Sequence, residues 1–330
     1  MHIPSLAVIM LVYNAAPYLE AAIESILAQT FTDFTLYAIA DLSRDNSSEI
    51  IKHYIHLDSR IQYIPNKHKG LVGALNLGLE ISKDSYEYIA RMDADDISHP
   101  RRFEKQLNFM NQNQHIDICG SAFKLFGSRK RTIVRPTTND EIKIAFMFDC
   151  TMAHPSLVFR SKCIKKYSIT YPESKIEDYT LWTTLFNEII FHNLSNVLLY
   201  YRVHENSKFQ KDNQKVQSEY QVKQHYLNKT CGFQTSVDES YLLNMPTNLT
   251  TKQLIQMLEF MAQLQQNKPH YFNGVVLFKY LQHRFFRFCF LSSRSGMGVW
   301  RIWKESPFYQ TYHSLRNIEL WVRCLFKISR

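Results

Sequence analysis

Tyr88-Ile89-Ala90-Arg91-Met92-Asp93-Ala94-Asp95-Asp96-Ile97 is an apolar run that stops in three carboxylates within four positions. Acids this close repel one another unless a cation is shared among them or water screens them. Two readings follow. One is a solvated surface turn; the other is a site for a hard cation such as Mg²⁺ or Mn²⁺, which takes oxygen ligands from one or two carboxylates and leaves room for a substrate phosphate. The choice rests on what else the chain brings to the same place.

Upstream, Leu6–Val12 is a short continuous apolar run, the mark of a strand buried on both faces of a parallel sheet. Tyr13-Asn14 ends it, and Pro17 opens a helix with Leu19, Ile23, Ile26 and Leu27 at helical spacing. Thr35–Ala40 reads as a second strand closing on Asp41, and the cap chemistry of Ser43-Arg44-Asp45-Asn46-Ser47 opens a helix through Ile55. Ile61–Ile64 is a third strand. A helix over Leu71–Ile81 carries a cluster of Gly70, Gly73 and Gly78, explained either by close approach to a ligand or by tight packing. Tyr86–Met92 is the fourth strand.

This alternation predicts a doubly wound parallel sheet with right-handed crossovers, whose ligands sit beyond the carboxyl ends of the strands. Asn14, Asp41 and Asp93–Asp96 all lie at such ends and converge on one cleft, which favours the metal reading. No Gly-x-Gly-x-x-Gly follows the first strand and no Gly-x-x-x-x-Gly-Lys-Ser/Thr occurs, so neither a Rossmann dinucleotide cofactor nor a P-loop phosphate cradle is supported.

Downstream, a helix begins at Pro100, Ile116–Phe126 and Thr132–Arg135 read as strands, Asn139–Phe148 as a helix, and His154–Phe159 as a strand. Glu177-Asp178 head a helix with Trp182, Leu185, Phe186 and Ile189 on its buried face; acids there complement the helix dipole, so a purely structural role stays open. Leu198–His204 is a last strand, and His204 also reads as an ordinary surface histidine.

The 330 residues are 45% hydrophobic, enough for about two domains. Six scattered cysteines without a Cys-x-x-Cys pair signal neither zinc nor a disulfide framework. The first residues lack a basic n-region and Leu6–Tyr13 is shorter than the roughly 18 apolar residues of a spanning helix, so a cytosolic chain is expected. The formal charge of +9 is concentrated late: Tyr271–Arg330 has ten Lys and Arg against two Asp and Glu. Because the same segment is rich in Phe and Trp, an anionic membrane surface fits it better than nucleic acid. As one helix, Val275–Arg294 places Lys279, His283, Arg287 and Arg294 opposite Phe278, Phe285, Phe288 and Phe290. That stripe reads as a face for the inner leaflet or as the core of a C-terminal subdomain.

Seven stretches in order resemble the family 2 glycosyltransferases of the GT-A fold, in particular bacterial enzymes of lipopolysaccharide, capsule or exopolysaccharide synthesis. They are Val8–Asn14, Ser25–Phe31, Gly70–Gly78, Tyr88–Asp96, His154-Pro155-Ser156, Glu177–Trp182 and Tyr201-Arg202-Val203-His204. The resemblance implies a catalytic domain over 1–207, a Rossmann-like, mixed but mainly parallel sheet flanked by helices, followed by a helical extension over 208–330. It implies that Asp95 and Asp93 hold Mn²⁺ or Mg²⁺ on the diphosphate of a nucleotide sugar, most often a UDP-sugar, with His204 reaching the metal or phosphate. It implies that Val12, Tyr13 and Asn14 line the nucleotide, that Asp41 contacts the uracil, and that Asp178 is the base for the hydroxyl of a glycan or lipid-linked acceptor in an inverting displacement. One departure stands out. The family's Asp-Asp-Gly-Ser is here Ala40-Asp41-Leu42-Ser43, so a turn that needs a positive φ is expected to be built differently. A non-catalytic sugar-nucleotide or glycan-binding relative is the alternative. A phosphotransferase with an Asp-x-Asp nucleophile fits less well, since its acids would follow the first strand.

Overall fold

The computed structural model describes residues 5–66, 70–204, 213–244, 246–312 and 315–328. The chain forms two compact units, Met1–Ile142 with Cys150–Glu219, and Lys143–Asp149 with Tyr220–Arg330.

The first unit begins with β1 (Leu6–Val12), α1 (Ala16–Leu27), β2 (Phe34–Ala40), α2 (Ser47–Leu57), β3 (Ile61–Pro65), α3 (Leu71–Ser82) and β4 (Tyr88–Asp93). β1 pairs in parallel with β2 and β4, and β2 with β3, so the expected parallel half is present. It forms because these runs are apolar at successive positions: Leu6, Ala7, Val8, Met10 and Val12 are all buried, which only a sheet covered on both faces allows. Helix α3 lies so close that a Cβ on Gly78 would come 2.7 Å from Ile9 Cγ2. Tight packing therefore explains that glycine.

Beyond β4 the sheet turns mixed. β5 (Ile97–Ser98), α4 (Arg102–Gln112), β6 (Ile118–Gly127), β7 (Arg131–Ile133), α5 (Asn139–Ala145), β8 (Val158–Arg160), α6 (Ser161–Lys166), α7 (Glu177–Thr184) and β9 (Phe191–Val203) follow. The strand order is β3-β2-β1-β4-β8-β6-β9-β5, with β7 on β6. Two expectations change here. His154-Pro155-Ser156 is a single 3₁₀ turn and only Val158–Arg160 pairs, since Pro155 has no N–H for a ladder. The last strand begins seven residues earlier than its apolar run, because Phe191–Leu194 pair with Ile118–Ser121 before a bulge that loops out Ser195-Asn196. Those two polar residues mask the front half of the strand.

The second unit holds the part of α8 (Asn213–Cys231) from Tyr220, then α9 (Thr251–Gln266), α10 (Gly274–Leu291), α11 (Met297–Glu305) and α12 (Arg316–Phe326). Lys143–Asp149 belongs to it: the Phe146 ring is 6.2 Å from Tyr226, and Phe148 is 5.8 Å from Tyr280 with the Arg284 guanidinium 4.0 Å above it. The expected domain break after residue 207 thus differs from the observed division, which falls within α8 and adds this earlier segment. The aromatic stripe of α10 is core. Phe285, Phe286 and Phe288 are buried, and Trp303 lies 6.2 Å from Phe285 and 5.2 Å from Phe286. The leaflet-facing reading of Val275–Arg294 is overturned because its aromatic face is already covered within the unit.

Candidate active site

Strand alternation puts Arg91 and Asp93 on one face of β4, and the turn after it adds Asp95 and Asp96. Each acid offers an oxygen within 4.8 Å of the others. Burial raises the affinity of Asp95 for a proton and the Asp93 charge raises it further. Asp96 is buried and pushed well above the usual carboxylate range, by desolvation first and then by Asp93 and Asp95. Its Oδ1 accepts from the Arg202 backbone N–H at 2.8 Å, while Oδ2 meets no donor among the described residues. An acid cluster with an orphaned buried oxygen is short of positive charge. The donor set of carboxylates and an imidazole fits a divalent cation of the Mg²⁺ or Mn²⁺ kind.

Two buried arginines support the turn. Arg91 Nη2 is 2.7 Å from Asp93 Oδ1, and its Nη1 donates to the Met92 carbonyl. Burial pulls its guanidinium down, but Asp93 outweighs this, with smaller help from Tyr171 and Glu177. Arg102, at the start of α4, donates from Nη2 to the Arg91 carbonyl at 2.8 Å and from Nε to Gln106 at 3.0 Å. Burial lowers its pKa to about 9 against the pull of Asp96, so it stays charged at neutral pH. Neither role shows in the local sequence, since what buries these arginines is the carbonyls and the carboxylate that the fold turns toward them.

The end of β9 closes over the acids. His204 Nε2 is 3.0 Å from Asp95 Oδ2. Arg202 Nε donates to the Asp95 carbonyl at 2.7 Å, and its guanidinium is sandwiched 4.6 Å from the Tyr18 ring and 4.4 Å from the Phe126 ring. Tyr201 is also near: burial, then Asp93, Asp96 and Asp95, push its phenol up. The structure therefore brings together Asp93, Asp95 and His204, as expected, and adds Arg91, Arg202 and Tyr201.

At the ends of β1 and β2 the loops are stitched to each other. Asn14 has a φ of 47° and accepts from the Arg44 N–H at 2.9 Å, while its own N–H donates to Ser43 Oγ at 3.0 Å. Asp41 Oδ1 accepts from Asn66 Nδ2 at 3.0 Å and Oδ2 from the Gly70 N–H at 2.8 Å, tying β2 to the start of α3. Tyr13 is exposed, whereas the Val12 side chain is core and its carbonyl accepts from the Asp41 N–H. Val12 thus supports the loop from behind. The expectation about Leu42 is overturned: it keeps the left-handed turn, with φ 51° and a side chain 62% exposed. The strain of about 1–2 kcal/mol is held by the bonds of Asp41 and Ser43 on either side.

The head of α7 lies in the electrostatic reach of the same centre. Glu177 is buried and Asp178 half-buried, with Asp178 Oδ1 accepting from the Tyr179 N–H at 2.7 Å. Tyr171 joins the two groups of acids. Its hydroxyl is 2.8 Å from His154 Nε2, and its phenol is pushed up by burial, held back by Arg91, and raised again by Asp178 and Glu177. Trp182 beneath is fully buried among His154, Tyr171, Phe159 and Phe191, which fixes the helix. Arg91 thus feels both Asp93 and, more weakly, Glu177.

The profile of "Glycosyl transferase family 2" matches residues 7–167. The O-antigen biosynthesis glycosyltransferase WbnJ of Escherichia coli is 37% identical over 211 residues, 61% of this chain and 81% of that one. The putative glycosyltransferase EpsE of Bacillus subtilis is 34% identical over 213 residues, 62% of this chain and 74% of that one. Among solved structures, S. aureus TarS 1–349 in complex with UDP-GlcNAc superimposes with a TM-score of 0.55 at 16% identity, covering 87% of this chain and 90% of that TarS 1–349 chain. The mannosyltransferase PcManGT of Pyrobaculum calidifontis, in complex with GDP-Man and Mn²⁺, does so at 0.54 and 13%, covering 81% and 76%. With the mixed sheet and the acids closing β4 already in place, these likenesses establish the chain as a glycosyltransferase of family 2 with the GT-A fold.

Proposed function

We propose that this chain is an inverting, metal-dependent glycosyltransferase that moves a sugar from a nucleotide-sugar donor, a UDP-sugar, to a hydroxyl of a glycan or lipid-linked acceptor in bacterial surface-polysaccharide synthesis. The observation that carries it is the gathering of three carboxylate oxygens within 4.8 Å, with His204 Nε2 3.0 Å from Asp95 Oδ2, at the carboxyl end of β4. The bound nucleotides named for TarS and PcManGT, the Mn²⁺ named for the latter and the O-antigen role named for WbnJ support the donor, metal and acceptor classes.

In this reading residues 1–207 do the chemistry. Asp93, Asp95 and His204 hold Mn²⁺ or Mg²⁺; when bound, the cation neutralises the charge that develops on the departing diphosphate. Tyr13, Asn14 and Asp41 border the nucleotide. The acceptor oxygen forms a bond to the anomeric carbon as the bond from that carbon to the diphosphate oxygen breaks, and the diphosphate leaves with the electron pair. Asp178 takes the acceptor's proton. A single displacement of this kind inverts the anomeric centre. Residues 208–330 serve the acceptor side, with the chain cytoplasmic and peripheral on the inner membrane face; no helix among the described residues is long and apolar enough to cross a membrane.

Thermal melts with UDP, UDP-sugars and GDP-mannose, each with Mn²⁺ or with EDTA, test the donor class. A cognate donor at 100 times its Kd adds about 2.7 kcal/mol with Mn²⁺ and much less with EDTA. No shift from any nucleotide in Mn²⁺ defeats the reading. Arg202 gives a finer check. Lysine keeps the charge but cannot fill the Tyr18–Phe126 sandwich or hold the Asp95 carbonyl in the same way, so Arg202→Lys weakens Mn²⁺ affinity roughly 10- to 100-fold with a near-normal melt. Unaltered Mn²⁺ affinity would make Arg202 a mere spacer.

A further inference from the structure

Helix α12 has two apolar faces, and only one is covered by the described residues. Leu320 and Cys324 are buried against the rest of the second unit, where α12 packs on α11 and the turn Ser293–Ser295. Turning by 100° per residue from Leu320, the residues Trp321, Leu325, Ile318, Val322, Leu315 and Phe326 fall in that order between about 100° and 240°. This arc has no polar interruption. Ile318 is 61% exposed, Leu325 45% and Phe326 67%. Glu319, Arg323, Arg316 and Lys327 follow at about 260° to 340°, all on one border of the arc. Arg323 Nε donates to Glu319 Oε1 at 3.1 Å and its guanidinium lies 4.4 Å over the Phe290 ring, so the acid beside the arc is answered. Trp321, 41% exposed, stands on the opposite border.

We propose that this outward face of α12 is a membrane-surface anchor that seats in an anionic phospholipid leaflet. An unbroken apolar arc on a helix of 11 residues, about 16 Å long, is too short to span a bilayer but suits burial of roughly 5–10 Å at the headgroup boundary. The charge is complementary. Arg316 and Lys327 are exposed at the two ends of the helix, and the segment Tyr271–Arg330 has a surplus of eight positive charges to meet anionic headgroups. A tryptophan at the edge occupies the level where indoles collect in bilayers. The face replaces the aromatic stripe of α10, which is spent inside the unit. This inference rests only on the membrane-surface part of the function proposed above, not on its chemistry.

Flotation of the full chain with vesicles of phosphatidylcholine, with and without 30% phosphatidylglycerol, tests it. The chain co-floats with the anionic vesicles, and Ile318→Ser/Leu325→Ser/Phe326→Ser lowers the bound fraction roughly tenfold or more, since three exposed apolar side chains lose their burial. The triple variant keeps the wild-type melt and nucleotide shift; should it fail to fold, Ile318→Ser alone shows a severalfold fall. Arg316→Gln/Lys327→Gln removes the preference for phosphatidylglycerol and the weakening by 0.5 M salt. A wild-type chain that does not float, a triple variant that floats undiminished, or a wild-type dimer that the triple variant splits without any vesicle binding each overturns the anchor. Failure of flotation with the Mn²⁺-dependent nucleotide shift intact defeats this inference alone; the reverse defeats the catalytic reading alone.

Discussion

Asp95→Ala lowers donor turnover and transfer by about a thousandfold or more, because about 4 kcal/mol of transition-state stabilisation goes with the cation on the leaving diphosphate. The Mn²⁺-dependent nucleotide shift disappears with it. The melt of the ligand-free chain is the informative control. Asp95 sits among like charges, and its carboxyl is held protonated more readily by burial and by Asp93, so removing it relieves repulsion and leaves the melting temperature unchanged or higher. Asp93→Ala behaves in the opposite way. It strips the partner 2.7 Å from buried Arg91, and an uncompensated buried guanidinium costs about 3–5 kcal/mol of stability. Equal destabilisation by both variants would mean that the three acids are a structural network with no metal role.

Asp178→Asn separates chemistry from binding. Asparagine matches the shape but cannot accept the acceptor's proton, so kcat falls about 10²- to 10⁴-fold while donor KM and the Mn²⁺-dependent shift hold. Glu177→Gln, at a buried acid whose charge reaches Arg91, costs stability more than kcat. If Asp178→Asn keeps kcat, the proton goes elsewhere and the helix-dipole role of these acids is sufficient.

The parallel half of the fold was legible because β1, β2 and β4 are buried on both faces and so read as apolar runs without alternation. β8 was seen but drawn too long at its start, where His154-Pro155-Ser156 forms a 3₁₀ turn, and the front of β9 was not seen, because Ser195-Asn196 interrupt its pattern. The acids at strand ends were readable from the rule that ligands sit at carboxyl ends, and the meeting of His204 with Asp95 followed from the family resemblance. Arg91 and Arg102 were not readable. Nothing local marks an arginine as buried; that depends on which carbonyls and carboxylates the tertiary fold turns toward it. Leu42 shows the same limit for the backbone: its residue type argues against a positive φ, and only the bonds of Asp41 to Asn66 and Gly70 show what holds it there. The apolar outer arc of α12 lies in the sequence but is overshadowed by the richer aromatic stripe of α10, which the fold uses as core.

A crystal of the full chain grown with Mn²⁺ and a UDP-sugar, measured at the manganese absorption edge, tests the account most directly. The prediction is an anomalous peak at roughly 2.0–2.3 Å from an Asp95 carboxylate oxygen, bridging to the donor diphosphate, with the Asp178 carboxylate facing the anomeric carbon from the far side. A peak bound away from Asp95, or an Asp178 turned from the sugar, would contradict it.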